Sequence, residues 1–169
     1  GKNWVAVTSE DEWYKAAYYD PTLNSAIGGY YLYPTGSNSR PTRSEPTSNP
    51  NHANFGQIGK GTDDVLGSTD VGSYSDSPSP YATFDQGGNV MEWIDAVNAA
   101  SAPVGIERGG SYWSSANGSS LQKKKRYEKG RDTSTYQRGF RISSLKPLVT
   151  EDPCLLYTSD AADERSSVD

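Results

Sequence analysis

Two short runs limit what this chain can fold into: Gly87-Gly88-Asn89-Val90-Met91-Glu92-Trp93, and Arg108-Gly109-Gly110-Ser111-Tyr112-Trp113 closed by Arg138-Gly139-Phe140-Arg141. In the first, two glycines let the backbone turn tightly after Phe84-Asp85-Gln86, and Asp85 and Glu92 stand close enough in sequence to bring both carboxylates to one loop. Oxygen ligands on an irregular loop suit a hard cation. Upstream, Ser9 and Glu12 have the spacing of a capping box, and Trp13, Ala16 and Ala17 form an i, i+3, i+4 apolar stripe that stops before Asp20-Pro21. One amphipathic helix is expected there. Residues 34–50 show no periodicity and predict an irregular surface loop. Residues 71–74 and 81–84 predict short strands around the Ser75-Asp76-Ser77-Pro78-Ser79-Pro80 turn.

With these motifs the chain resembles the sulfatase-modifying-factor family, which comprises the formylglycine-generating enzymes and their non-catalytic relatives. The likeness starts at Trp4, where Ser9-Glu10-Asp11-Glu12-Trp13-Tyr14-Lys15-Ala16-Ala17 is similar to the family's first helix motif. It continues through Tyr30 to Tyr33 and Ala53-Asn54-Phe55, and ends at Ile142. It implies an α+β fold: an irregular, loop-rich, C-type lectin-like domain with little regular secondary structure. Composition agrees with that expectation. Only 33% of the 169 residues are hydrophobic, mean hydropathy is −0.78, and 12 tyrosines and 17 glycines favour aromatic packing and loops over long aliphatic helices.

Residues 1–145 are read as the C-terminal portion of such a domain, the chain opening part-way through it, and 146–153 as a terminal linker. Residues 154–169 resemble read-through into a sequencing adapter and are set aside as non-native. Setting them aside takes the formal charge from −5 to −2, because Asp160, Asp163, Glu164 and Asp169 leave with Arg165. It also removes Cys154, the one cysteine, so the remainder has no thiol nucleophile and no internal disulfide. No apolar run approaches the ~20 residues needed to cross a bilayer.

The resemblance implies calcium at two places. One set is Asn54, Phe55 (carbonyl), Asp63 and Val65 (carbonyl). The other is Asp85 and Glu92 through side chains, with Gln86, Gly88 and Val90 through carbonyls. Calcium accepts about six to eight oxygens in loose geometry, and in either place its role would be structural. Catalysis is a different matter. Active formylglycine-generating enzymes hold copper on a cysteine pair just beyond the Gly-Gly-Ser segment, and the corresponding places here are Ser114 and Ser119. A hydroxyl stays protonated near neutral pH and is too hard a ligand for Cu(I), so no copper is expected. The family's iron-dependent sulfoxide synthases require a histidine site. His52 is the only histidine, so no iron is expected either.

Other chemistries find less support. His52 lies in a polar loop without a nucleophile elbow and reads as an ordinary surface histidine. The segment Gly56-Gln57-Ile58-Gly59-Lys60-Gly61-Thr62 departs from phosphate-loop spacing and reads as a turn. Lys123-Lys124-Lys125-Arg126 lacks interleaved aromatic residues and reads as a solvated face. In relatives with this ending, the stretch between Gly-Gly-Ser and Gly-Phe-Arg covers the substrate face of the enzymes, and it is the part that varies in retroelement-diversified members. Here it runs from Tyr112 to Gln137, and Trp113, Ser114, Asn117, Ser119, Tyr127 and Tyr136 are its candidate ligand contacts. Tyrosine, serine, asparagine and tryptophan suit an adaptable binding surface. The expectation is a calcium-braced, non-catalytic module that binds a peptide, glycan or protein and not nucleic acid. The alternatives are a formylglycine-generating oxidoreductase and a structural or surface-display domain. Relatives that share the Tyr-Tyr-Asp-Pro and Gly-Gly-Tyr-Tyr-Leu-Tyr-Pro-Thr wording imply a bacterial, extracytoplasmic or secreted location.

Overall fold

A computed structural model describes residues 5–56, 67–97, 104–130 and 135–144. Strand β1 (Val5–Val7) leads into helix α1 (Glu10–Tyr18). The capping box forms as the spacing requires: the Glu12 backbone N–H donates to Ser9 Oγ (3.4 Å), and the Ser9 N–H donates to Glu12 Oε2 (2.8 Å). The predicted stripe is the buried face of the helix, with Trp13, Ala16, Ala17 and Tyr18 all nearly inaccessible. After α1 come β2 (Tyr19–Asp20), a four-residue helical turn α2 (Leu23–Ala26) with Asn24 and Ser25 in the left-handed region, and β3 (Gly29–Tyr30), which pairs with β2.

The 34–50 loop is irregular as expected except for β4 (Thr42–Arg43), which runs parallel to β5 (His52–Ala53). Residues 71–74 and 81–84 are turns, not the expected strands. Gly72 and Ala82 both have positive φ (81° and 56°), and local bonds such as Ser77 N–H to the Tyr74 carbonyl (2.9 Å) close the chain on itself. The pattern of alternation was too short to distinguish a strand from such a turn.

The main sheet has the order β8-β7-β6-β9, built from β6 (Met91–Val97), β7 (Val104–Arg108), β8 (Tyr127–Gly130) and β9 (Arg138–Phe140). β6–β7 and β7–β8 are antiparallel, β6–β9 is parallel, and β10 (Ile142–Ser144) returns to pair with β1. Strand alternation gives the sheet two chemically different faces. Glu92, Ile94, Ile106 and Arg108 meet α1, where Ile94 and Ile106 join Trp13, Ala17 and Tyr18 in one core. Trp93, Glu107 and Tyr127 are aligned by register on the other face, with Arg138 over the Trp93 ring at 5.8 Å. A second core of Tyr33, Ala53, Phe55 and Leu121 lies under the loops. The Tyr18 hydroxyl joins the two cores by donating to the Leu121 carbonyl (3.0 Å).

Candidate functional site

The Gly-Gly-Asn-Val loop is wedged between two other segments. Gly88 has φ +90°, and a β-carbon on it would run into the Asn54 carbonyl; Gly109 has φ +89°, and a β-carbon there would lie 2.6 Å from the Gln86 carbonyl. Only glycine allows this approach. The backbone groups so released bond across the gap: Gly88 N–H to the Gly109 carbonyl (2.9 Å), Asn89 N–H to the Asn54 carbonyl (2.8 Å), and Tyr112 N–H to the Asn89 carbonyl (2.9 Å). The two runs that dominate the sequence are thus stitched to each other and to Asn54.

At the end of this loop Glu92 is buried and accepts three hydrogen bonds. Oε2 receives Trp13 Nε1 and Arg141 Nε, and Oε1 receives Arg141 Nη2, each at 2.6 Å. Arg141 Nη2 also donates to the Phe84 carbonyl (3.0 Å). Asp85, held at φ +58°, accepts the Gly72 N–H at 2.6 Å. Burial raises its carboxyl pKa above the ordinary 3.8; the Gly72 hydrogen bond and the Arg141 charge oppose that rise, and Glu92 adds to it. The buried Glu92 carboxylate is thus paired with Arg141, and the half-buried Asp85 carboxylate feels the same charge without bonding to it. The Gln86 amide donates to the Trp13 carbonyl (3.2 Å), and its oxygen accepts from the Thr83 hydroxyl. A small polar recess, lined by residues including His52, Tyr74, Ser77, Asp85 and Gln86, opens beside this loop.

The structure brings Asp85, Gln86, Gly88, Val90 and Glu92 into one loop and places Asn54 against it through the Asn54 carbonyl. Phe55 is fully buried next to Asn54, whose amide donates to the Gly67 carbonyl (3.1 Å). Asp63 and Val65 lie outside the described residues, as do the Gln57–Thr62 part of the glycine turn, the 146–153 linker and the 154–169 tail. Among the described residues no group of three or more His, Cys, Asp or Glu side chains is placed to hold a metal. A cation here would depend on carbonyl oxygens as much as on the two acids. The donor set is all oxygen and its two carboxylates outnumber the one guanidinium beside them, so calcium fits its chemistry. Arg141 itself stood in the sequence without an assigned role. It closes the Arg138-Gly139-Phe140-Arg141 motif, but no short-range feature of the sequence links it to Glu92, 49 positions away.

The 112–137 stretch divides sharply. Tyr112 is buried, its hydroxyl pKa raised first by burial and then by nearby Tyr136. Trp113 and Tyr136 are 43% and 77% exposed. Ser114 Oγ accepts the Ser111 N–H (2.8 Å), and the Asn117 side chain accepts the Ser119 N–H (2.9 Å) at the start of a 3-10 turn, Ser119–Leu121. The Tyr127 hydroxyl donates to Ser120 Oγ (2.9 Å), and Ser114 and Ser120 both border Gly110. Ser114 and Ser120 therefore flank one glycine, with Tyr127 bonded to Ser120, while Trp113 and Tyr136 are the exposed aromatic groups. His52 is half-buried rather than a free surface histidine, with Nδ1 2.6 Å from Ser44 Oγ, which also donates to the Glu45 carbonyl. Glu107 is fully buried against Arg138, with no partner for its second oxygen among the described residues, a feature the sequence reading missed because the partners lie on β7 and β9, 31 positions apart in the chain with β6 between them in the sheet. No helix among the described residues is long and apolar enough to cross a membrane.

Against known proteins, residues 4–144 match the Sulfatase-modifying factor enzyme 1-like domain. No curated protein matches the chain. Among solved structures, Treponema denticola variable protein 1 is similar at a TM-score of 0.52 and 20% sequence identity, over 82% of this chain and 46% of that one, which establishes likeness of fold. The chain spans less than half the length of that structure. With most of its length matched by the family and the motif loops packed as described, the chain belongs to the sulfatase-modifying factor enzyme 1-like domain family.

Proposed function

We propose that the chain is a non-catalytic recognition module that binds a peptide, glycan or protein through the surface of residues 112–137. One observation carries this reading: at the two positions where the enzymes of the family hold copper, this chain has Ser114 and Ser119, and Ser114 Oγ is engaged in a turn by the Ser111 N–H. A protonated hydroxyl in that setting has neither the charge nor the softness to hold Cu(I) and activate oxygen. Two exposed aromatic side chains on the same stretch, Trp113 and Tyr136, support a binding role. Large rigid rings gain contact area at little cost in conformational entropy. The structural neighbour is called a variable protein, which agrees with a scaffold kept for its surface.

Calcium belongs to this reading as a brace. Asp85 and Glu92 would hold it with the Gln86, Gly88 and Val90 carbonyls, and it would neutralise the carboxylate charge that Arg141 leaves unbalanced. Its contribution would be rigidity of the loop under the binding surface. An extracytoplasmic location, where calcium is abundant, is part of the same proposal.

The test pairs two measurements. Trp113→Ala and Tyr136→Ala are screened against a peptide and glycan array, and the wild-type chain is titrated with Cu(I). Loss of array binding in variants that keep the parental melting temperature, with no stoichiometric copper site, is the expected result. A tight copper site with oxidation of a cysteine-bearing sulfatase peptide would overturn the reading in favour of the oxidoreductase, and unchanged binding would favour a display role.

A further inference from the structure

The tract Lys123-Lys124-Lys125 carries three adjacent ammonium groups on a chain whose formal charge is −5. In sequence no aromatic residue interleaves it, and the nearest ring is Tyr127, two residues beyond Lys125. The fold adds a second ring and sets both against the lysines. Lys123 Nζ lies 6.0 Å from the centroid of Tyr30, a residue of β3, and donates to the Tyr30 carbonyl (2.8 Å). Lys125 Nζ lies 4.9 Å over the ring of Tyr127, at the start of β8. Lys123 and Lys125 are thus each held against a different ring, and Lys124 stands exposed between them in the chain.

Beneath them the tract is fixed by a buried arginine. Arg108 Nη1 donates to the carbonyls of Lys123 (3.0 Å) and Lys125 (3.2 Å), while its Nε and Nη2 bond Glu10 Oε1 at 3.0 and 2.6 Å. Its guanidinium also lies 5.1 Å from the Tyr14 ring. Two backbone carbonyls bonded to one guanidinium hold the tract in place, with Lys124 and Lys125 exposed and Lys123 half-buried. Arg126 is neutralised by Glu10 and Glu128, yet none of the three lysines forms an ion pair among the described residues. Holding like charges side by side is unfavourable, so a pinned and uncompensated triplet is a feature that a partner's negative charge would relieve.

We propose that this tract, as one edge of the 112–137 binding surface, docks an anionic polysaccharide. The proposal rests on the recognition reading above and names the chemistry of its partner. An ammonium takes one face of each of Tyr30 and Tyr127, which competes with the base stacking that holds single-stranded nucleic acid. An acidic peptide would first have to be ordered from a flexible chain, losing conformational entropy at every residue held. A stiff glycan repeating its carboxylates or sulfates along its length loses far less on meeting a fixed row of cations.

Binding is measured with polygalacturonate (carboxylate) and heparin (sulfate), against neutral dextran, polyglutamate and a single-stranded oligonucleotide. The expected result is binding to one or both anionic glycans, weakened by raising salt from about 50 to about 500 mM. Replacing all three lysines with Gln should lower affinity on the order of tenfold or more. Lys124→Gln alone, at an exposed position that holds nothing in the fold, should lower it part of the way, which keeps the test valid should the triple variant melt early. The relative response to carboxylate and sulfate chains identifies the anionic group. Absence of glycan binding, equal binding of polyglutamate or the oligonucleotide, or indifference to Lys124→Gln would overturn the proposal. If glycan binding fails while Trp113→Ala and Tyr136→Ala still abolish an array ligand, this inference falls and the recognition module stands.

Discussion

Arg141 shows how much depends on where a single charge lies. Its side chain is 20% exposed and that of Glu92 6%, and the two meet through a bidentate contact reinforced by the Trp13 indole. Removing the cation would leave a carboxylate desolvated with only the indole as donor. Arg141→Ala is therefore expected to cost about 3–5 kcal/mol, as for other broken buried pairs. The pair between Arg126 and Glu128 has similar length (2.8 Å) but exposures of 34% and 42%. Water screens it, and Glu128→Ala is expected to change stability by about 1 kcal/mol or less. Urea denaturation of both variants checks the contrast, and equal losses would mean that burial does not set the strength of these pairs. The sequence displays both arginines alike. Which one matters is decided by β6 and by α1, elements far from Arg141 along the chain.

Helix α1 was legible because its evidence is local: a cap, an acidic first turn and an apolar stripe all lie within the residues that form it. The same holds for the turn at Gly88, whose glycines announce a close approach without saying to what. The partners, Asn54 and Gly109, come from separate segments, and no short-range rule links them. That is why the fold class could be read while the strands assigned to 71–74 and 81–84 dissolved into turns. The Asp85–Glu92 loop also carries the calcium proposal. Calcium is expected to raise the melting temperature by several degrees at saturation, by linkage between binding and folding. Asp85→Asn, which keeps the side chain's size while removing a charge, should abolish that rise. Differential scanning calorimetry with calcium and with chelator decides it; identical melting curves for the wild-type chain under the two conditions would rule the brace out.

Across the whole molecule, tyrosine does work that aliphatic side chains do in richer cores. Tyr14, Tyr18, Tyr19 and Tyr30 form a run of ring contacts with centroids 5.1 Å apart at each step, and Tyr18 closes on Trp13 at 5.9 Å. Such a core has a titratable weakness. Burial raises the hydroxyl pKa of Tyr18, Tyr74 and Tyr112 above the ordinary 10, for Tyr18 and Tyr74 strongly. The sign follows from linkage. Below about pH 10 both the folded and unfolded chains keep these protons and the groups do not affect stability. As pH rises past 10 the unfolded chain releases protons that the fold retains, so stability falls with each added increment of pH. Unfolding should therefore set in steeply on the alkaline side, with the tyrosinate absorbance of the buried group appearing together with loss of structure rather than before it. Tyr74→Phe would remove one such proton at the cost of the bond from its hydroxyl to the Ser44 carbonyl (2.6 Å), lowering stability at pH 7 but flattening the alkaline slope. A tyrosine titration that ran to completion while the circular dichroism stayed native would show that these hydroxyls are reached by solvent in the folded chain, and that aromatic burial is not what holds it together.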